Sequence, residues 1–335
     1  MRNVIALDVG GTGMKAALVG PDGALLHEAR RATARDRGPD AVVASILDFA
    51  ADLHGLAVER FGEPPSAAGV AVPGIVDETN GIAVYAANLG WRDVPLRALL
   101  AERLGAERLG AERVGTERLS AERPGTTDSA DCPVALGHDV RTGGLAEGRL
   151  GAGKGADRFL FVPLGTGISV AIGINGRIEA GAHGCAGEIG HIVVRPGGPA
   201  CGCGRHGCLE TLASASAVAR AWAAASGNPD ADAADCAKAV ESGDPRATEV
   251  WSEAISALAD GLVTGLTLLD PRTLIIGGGL AEAGETLFVP LRAAVEQRIT
   301  FQNIPHIVPA ALGATAGCLG AGLLAWDLLS AEVTA

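Results

Sequence analysis

The chain has 335 residues, 48% of them apolar, and a net charge of −12. That length supports two domains with substantial cores, and the acidic balance speaks against a nucleic-acid surface, which draws on clustered Lys and Arg. Seven cysteines are an odd count for a secreted disulfide scaffold, and the start, "MRNVIALDVGGTG", carries no secretory pattern, so a cytoplasmic protein is expected.

In chain order, "VIALDVG" (4–10) reads as a buried strand, and 15–29 as two more strands around a Pro-Asp-Gly turn. Residues 40–62 carry apolar side chains at helical spacing, and 67–77 form a strand stopped by Pro73-Gly74. The same β-β-β-α-β order recurs more loosely after residue 133, through "CPVALGHD", a helix "VRTGGLAEGRLG", and the strands "RFLFVPLGTG" and "SVAIGING". Helices dominate from Ser214 to Leu269, the strand "TLIIGGG" (273–279) follows, and 313–330 closes the chain as a helix. The apolar segments are broken by Gly, Pro or charge before they reach the length of a membrane span, so no membrane association is expected. Two α/β halves with glycine-rich turns after their strands imply two parallel-containing sheets and a cleft between them.

One segment departs from this pattern: "AERLGAERLGAERVGTERLSAERPG" (101–125) repeats every five residues. Each step of five advances a helix by about 500°, roughly 140° net, so no apolar stripe forms. Gly105, Gly110 and Gly115 each cost about 1 kcal/mol relative to Ala. An exposed helix extension without a chemical role is expected here.

Three glycine-rich turns carry the phosphate chemistry. "DVGGTG" follows the first strand. Gly10 and Gly11 let the backbone turn its amides toward an anion, Asp8 is placed to hold magnesium through water, and Thr12 to donate to a phosphate oxygen. "LGTGIS" repeats the design with Gly165, Thr166 and Gly167. "IIGGGLAE" supplies Gly277, Gly278 and Gly279, suited to a nucleoside and its α-phosphate. Together they point to a nucleotide held by both halves. "CGCGRHGCLE" (201–210) crowds Cys201, Cys203 and Cys208 into eight residues, and "GEIGH" just upstream adds His191. A Cys₃His set suits tetrahedral zinc with no position left for water, hence a structural ion. His206, between the cysteines, is the rival fourth ligand.

"DVGGTG", "VPGIVD", "ANLGW", "GEIGH" and "CGCGRHGCLE", in that order, resemble the ROK family of sugar kinases and repressors. The resemblance implies the actin-like ATPase (ribonuclease H-like) fold, with two α/β domains closing over ATP and a sugar. Their expected extents are 1–132 with 314–335, and 133–313 carrying the zinc loop. It implies Asp139 of "GHD" as the base that takes the proton of the sugar hydroxyl, and Asn88, Glu188, His191 and Glu210 as partners of sugar hydroxyls. It also implies ATP with Mg²⁺, a structural Zn²⁺, a small sugar substrate and a homodimer or homotetramer.

Family kinases read Asn-Asp at the catalytic pair, where this chain has His138-Asp139, and the Asn contacts the sugar. His138 is therefore expected to read the hydroxyl pattern. The expected reaction is glucose to glucose 6-phosphate. Mannose, fructose or N-acetylmannosamine are the alternative substrates, a weakly active sugar-binding protein the alternative role, and polyphosphate an alternative donor. A repressor would need a DNA-binding domain ahead of the first strand, which begins here at Asn3.

Overall fold

A computed structural model describes residues 1–116 and 132–334. The strands are β1 (Val4–Val9), β2 (Gly13–Val19), β3 (Leu25–Ala32), β4 (Ala68–Val72), β5 (Ile75–Asp77), β6 (Ile82–Ala86), β7 (Trp91–Val94), β8 (Val134–His138), β9 (Arg158–Pro163), β10 (Ala171–Ile174), β11 (Arg177–Glu179), β12 (Thr273–Gly277) and β13 (His306–Pro309). The helices are α1 (Pro39–Phe61), α2 (Leu96–Thr116), α3 (Asp139–Leu150), α4 (Glu210–Ala213), α5 (Ala215–Ser226), α6 (Ala233–Glu241), α7 (Pro245–Leu269), α8 (Glu285–Glu296) and α9 (Ala316–Thr334).

The chain divides into two units, Met1–Ala146 with Thr315–Ala335, and Glu147–Ala314. The first holds a sheet ordered β3-β2-β1-β4-β8, the second a sheet ordered β11-β10-β9-β12-β13. In each, an antiparallel meander feeds a parallel trio: β1 with β4 and β8 in one, β9 with β12 and β13 in the other. The same strand order twice is the two-sheet architecture expected from the sequence. A small antiparallel sheet, β5-β6-β7, completes the first unit.

The first division falls after Ala146, not at the expected 132/133. The reason is pairing: β8 adds in parallel to β4, register Ala68 to Val134 through Val72 to His138, which joins β8 to the first sheet and carries the start of α3, through Ala146, into the first unit, while Glu147 onward belongs to the second.

Local signals place the helices. Pro39 opens α1 and Gly62 closes it in a left-handed conformation, φ 73°. Asp232 and Asp235 form a capping box on α6, and Asp244 accepts from the Arg246 and Ala247 amides ahead of Pro245 on α7. In the first unit, Val42, Ile46, Phe49 and Leu53 of α1 bury against Ile5, Leu7 and Val70. Cys318, Ala321 and Ala325 of α9 cover the opposite face of that sheet. There the helix lies so close that a Cβ on Gly69 would come within 1.8 Å of the Ala321 carbonyl. In the second unit α7 supplies the central core, with Trp251, Ile255, Leu258 and Leu262 packed among Leu160, Leu274 and Leu287.

Two expectations are corrected. By length and composition three helical stretches, 39–61, 245–269 and 313–331, are apolar enough to cross a membrane. Gly and Ala lengthen them without adding charge, and 39–50% of each apolar window is buried within the protein. The repeat is not wholly exposed either. α2 runs through Thr116, and Leu104, inside the first repeat, is fully buried with Leu96 and Leu100. The spacing of four from Leu96 through Leu100 to Leu104 makes one stripe before the five-residue period takes over. Arg103 pairs with Glu107 at 3.5 Å and with Asp48 at 3.5 Å on the surface. Residues 117–125 of the repeat lie outside the described residues.

Leu104→Ala is expected to cost about 2–5 kcal/mol by the transfer and cavity costs of a buried leucine. Urea unfolding of both proteins measures it, and a loss below about 1 kcal/mol would mean that the side chain is not seated.

Candidate active site

The candidate residues of the first unit sit at the carboxyl ends of its parallel strands. After β1 the chain turns through Gly10-Gly11-Thr12, closed by the Gly10 amide on the Gly13 carbonyl at 2.9 Å. Thr33 braces the turn, its hydroxyl donating to the Gly10 carbonyl at 2.7 Å and its amide to the Thr12 carbonyl at 3.2 Å. Burial raises the carboxyl pKa of Asp8, and Lys15, 3.9 Å away, opposes that shift. Asn88, in the β6–β7 turn, reaches the same place: its Nδ2 lies 3.0 Å from where a Cβ on Gly11 would stand.

His138 ends β8 and Asp139 opens α3, so the aspartate stands at a helix N-terminus, where backbone N–H groups favour a carboxylate. One Asp139 oxygen accepts from the Val140 amide at 2.7 Å. His138 is buried, with Nε2 3.4 Å from Asp139 Oδ1, and its Nδ1 has no hydrogen-bond partner. Burial, with Arg141 adding to it, holds the imidazole down to about 3, so the ring is neutral at neutral pH.

Two residues that the sequence reading did not single out fix this junction. Glu78 Oε1 accepts from the His138 amide at 3.1 Å and from Arg141 Nε and Nη2 at 3.1 and 2.9 Å. Arg141 is almost completely buried in the first turn of α3, where a cation meets the wrong end of the helix dipole. A cation in that position calls for an anion nearby, which was the available signal. Nothing in the local pattern names Glu78 as that anion.

In the second unit the Gly165–Gly167 turn follows β9, and the Gly277–Gly279 turn follows β12 beside it. Gly278, at φ 79°, lies so close to Leu164 that a Cβ would stand 2.6 Å from its backbone, and the Leu164 amide donates to the Gly277 carbonyl at 2.8 Å. Glu210 opens α4 and turns onto the first of these turns. Its Oε2 accepts from the Ile168 amide at 3.0 Å, and a Cβ on Gly167 would meet that oxygen at 2.4 Å. Glu188 accepts from the Ser169 hydroxyl at 3.3 Å and lies 3.9 Å from His191 Nε2. Thus Gly167 with Glu210, and Ser169 with Glu188 and His191, are brought together.

The other ring nitrogen of His191 faces the cysteines, Nδ1 to Cys201 Sγ 3.5 Å, while Cys203 and Cys208 sulfurs are 3.6 Å apart. One donor atom from each of the four residues lies within 4.8 Å of the others. Ligands about 2.0–2.3 Å from a shared tetrahedral ion stand about 3.5–4 Å apart, so the donor set fits zinc. His206 stands outside the set and is exposed, paired in a bridge with Ala200. The Arg205 amide and then its side chain draw the Cys203 thiol down to about 6, and burial pushes Cys208 up to about 12. The loop is pinned from outside by Arg195, which donates to Asp260 at 2.6 Å, Glu253 at 2.8 Å and Ser256 at 3.0 Å on α7.

The chain matches the ROK family over residues 4–112 and 126–327. It is 32% identical to a glucokinase of Thermotoga maritima and 30% identical to one of Halalkalibacterium halodurans, the matches covering 95% and 96% of this chain and 95% and 94% of those. Among solved structures, a ROK hexokinase of Thermus thermophilus is 31% identical with a TM-score of 0.79, over 98% of this chain and 99% of that one. A ROK glucokinase of Streptomyces griseus in complex with glucose and AMPPNP is 28% identical with a TM-score of 0.76, over 97% and 99%. With its doubled sheet and matching strand ends, the chain belongs to the ROK family and has its actin-like ATPase fold.

Proposed function

We propose that this protein is an ATP-dependent sugar kinase that converts glucose to glucose 6-phosphate, with Asp139 as the general base. Near-full-length similarity to proteins named glucokinase supports the reaction. The observation that carries the residue assignment is the place of Asp139: a carboxylate at the end of a parallel strand and the start of a helix, beside a buried neutral imidazole.

Asp139 takes the proton of the attacking sugar hydroxyl as its oxygen bonds to the γ-phosphorus and the bond from that phosphorus to ADP breaks, ADP leaving with the electron pair. Phosphoryl transfer asks the protein mainly for positioning and charge neutralisation. Asp8, Gly10, Gly11 and Thr12 in the first unit, and Gly165, Thr166 and Gly167 in the second, address the phosphates. Gly277 to Gly279 address the nucleoside. Mg²⁺ bound with ATP neutralises part of the charge on the transferring group. Asn88, Glu188, His191 and Glu210 address the sugar hydroxyls. His191, Cys201, Cys203 and Cys208 would hold Zn²⁺, which cross-links the loop. With Nδ1 turned to the thiols, Nε2 of His191 is left to meet Glu188 or a hydroxyl. The three-cysteine loop, read as a zinc site, fits a reducing, cytoplasmic setting, where thiols persist as metal ligands.

His138 favours a second reading, a sugar other than glucose. Its Nδ1 is buried without a partner, and an unmet polar atom of this kind discriminates among ligands by what they offer it.

Asp139→Asn is expected to bind glucose normally while turnover falls by about 10²–10⁴-fold, the usual worth of a general base. Calorimetry with steady-state assays decides, and loss of sugar binding in the same variant would make Asp139 a binding residue. For His138→Asn, the ratio of kcat/KM between glucose and its epimers should shift, whereas a uniform change across a hexose panel would show that His138 does not read the sugar. Metal analysis should find one zinc per chain, lost from a Cys201→Ser, Cys203→Ser double variant. Zinc retained in full by that variant would refute the ligand set.

A further inference from the structure

Glu147 is a charged residue with no exposed surface and no part in the chemistry above. It lies on α3, and its carboxylate is saturated by backbone. Oε2 accepts from the Ala152 amide at 2.8 Å and the Ala311 amide at 3.1 Å, and Oε1 from the Leu312 amide at 2.8 Å. A fully buried carboxylate engaged by three N–H donors is a strong tie, since without them it would be left unpaired away from water. Two of the three donors belong to the loop that follows β13.

That loop has a neighbour of consequence. β13 runs parallel to β12, the Ala310 amide donates to the Ile276 carbonyl at 2.9 Å, and the Ala310 Cβ lies 3.1 Å from where a Cβ on Gly277 would stand. Residues 310–312 therefore flank the Gly277–Gly279 turn, at the carboxyl ends of parallel strands, where ligands of such sheets bind. Gly151 leaves the space that the carboxylate needs, for a Cβ there would stand 2.2 Å from Glu147 Oε2.

We propose that Glu147 is a positioning residue for the nucleotide: its carboxylate fixes residues 310–312 as the wall beside the Gly277–Gly279 turn, against which the nucleoside of ATP rests. The inference rests on ATP as the donor. It assigns Glu147 an effect on nucleotide affinity and none on the sugar.

Two variants approach the tie from opposite sides. In Glu147→Gln the new amide group must face at least one backbone N–H, donor against donor, so one strand of the tie is lost while volume is kept. Gly151→Ala displaces the carboxylate without altering it. Gly155→Asn serves as the control, at φ 81° in open surroundings that Asn tolerates. Calorimetry with AMPPNP and with glucose, and KM and kcat for ATP, are measured on all four proteins.

Both test variants should weaken AMPPNP binding and raise the KM for ATP by about tenfold, with glucose affinity and kcat within about twofold and the control unchanged. Unchanged nucleotide affinity in either folded variant, or parallel loss of both ligands, would overturn the role. Should Glu147→Gln fail to fold, Gly151→Ala decides alone. Wild-type protein that neither binds AMPPNP nor phosphorylates a sugar would instead overturn the assignment of ATP as donor.

Discussion

The constraint on which the rest depends is where parallel strands end. In β1, β4 and β8, and again in β9, β12 and β13, the hydrogen-bond ladder stops on one edge of the sheet, and the next amides need new partners. A glycine-rich turn meets that need by folding amides onto nearby carbonyls, as Gly10 does on Gly13 and Gly165 on Gly167 at 3.2 Å. It also lets a ligand approach the backbone closely. Asp8 precedes one such turn, Asp139 follows another strand, and Glu210 closes on a third, so the candidate site residues collect where the ladder runs out.

The two units stiffen these ends differently. In the first, an ion pair does so: Glu78 holds the His138 amide and Arg141 together, and Arg141 is too buried to accept a missing partner cheaply. In the second, the 191–208 loop folds back on itself, Val193 bridging Cys208 and the Leu209 amide reaching the Ile192 carbonyl at 2.9 Å. Arg195 then clamps the loop to α7. Glu210 leaves that loop directly onto the Gly167 turn, so order in the cysteine loop reaches that turn through one carboxylate.

The alternation of strands, the glycine turns and the Cys₃His spacing were legible because each is a local pattern. The doubled sheet order followed from them. What was not legible was long-range pairing of single polar residues. Glu147 sits in "GGLAEGRLG", where an acidic residue reads as a solvated face, and only the fold brings Ala311 and Leu312 to it across 164 and 165 positions. Glu78 is likewise 63 positions from Arg141. Leu104 was misread for another reason, because the five-residue period hid that the preceding Leu96 and Leu100 already set its register.

These long-range ties share a form that bears on how the site tolerates change. Glu78 and Glu147 hold backbone amides, so they fix chain position whatever side chains the neighbouring loops carry. His138 can therefore stand at the end of β8 without disturbing the placement of Asp139: its amide is held by Glu78, and its ring, neutral in its burial, brings no charge against the aspartate. A protonated imidazole 3.4 Å from that carboxylate would stabilise the anion and weaken it as a base, whereas a neutral one leaves its basicity to the helix end and the substrate. If Asp139 is the base, as proposed, His138 beside it is compatible with catalysis because burial, rather than residue type, sets the charge of the ring.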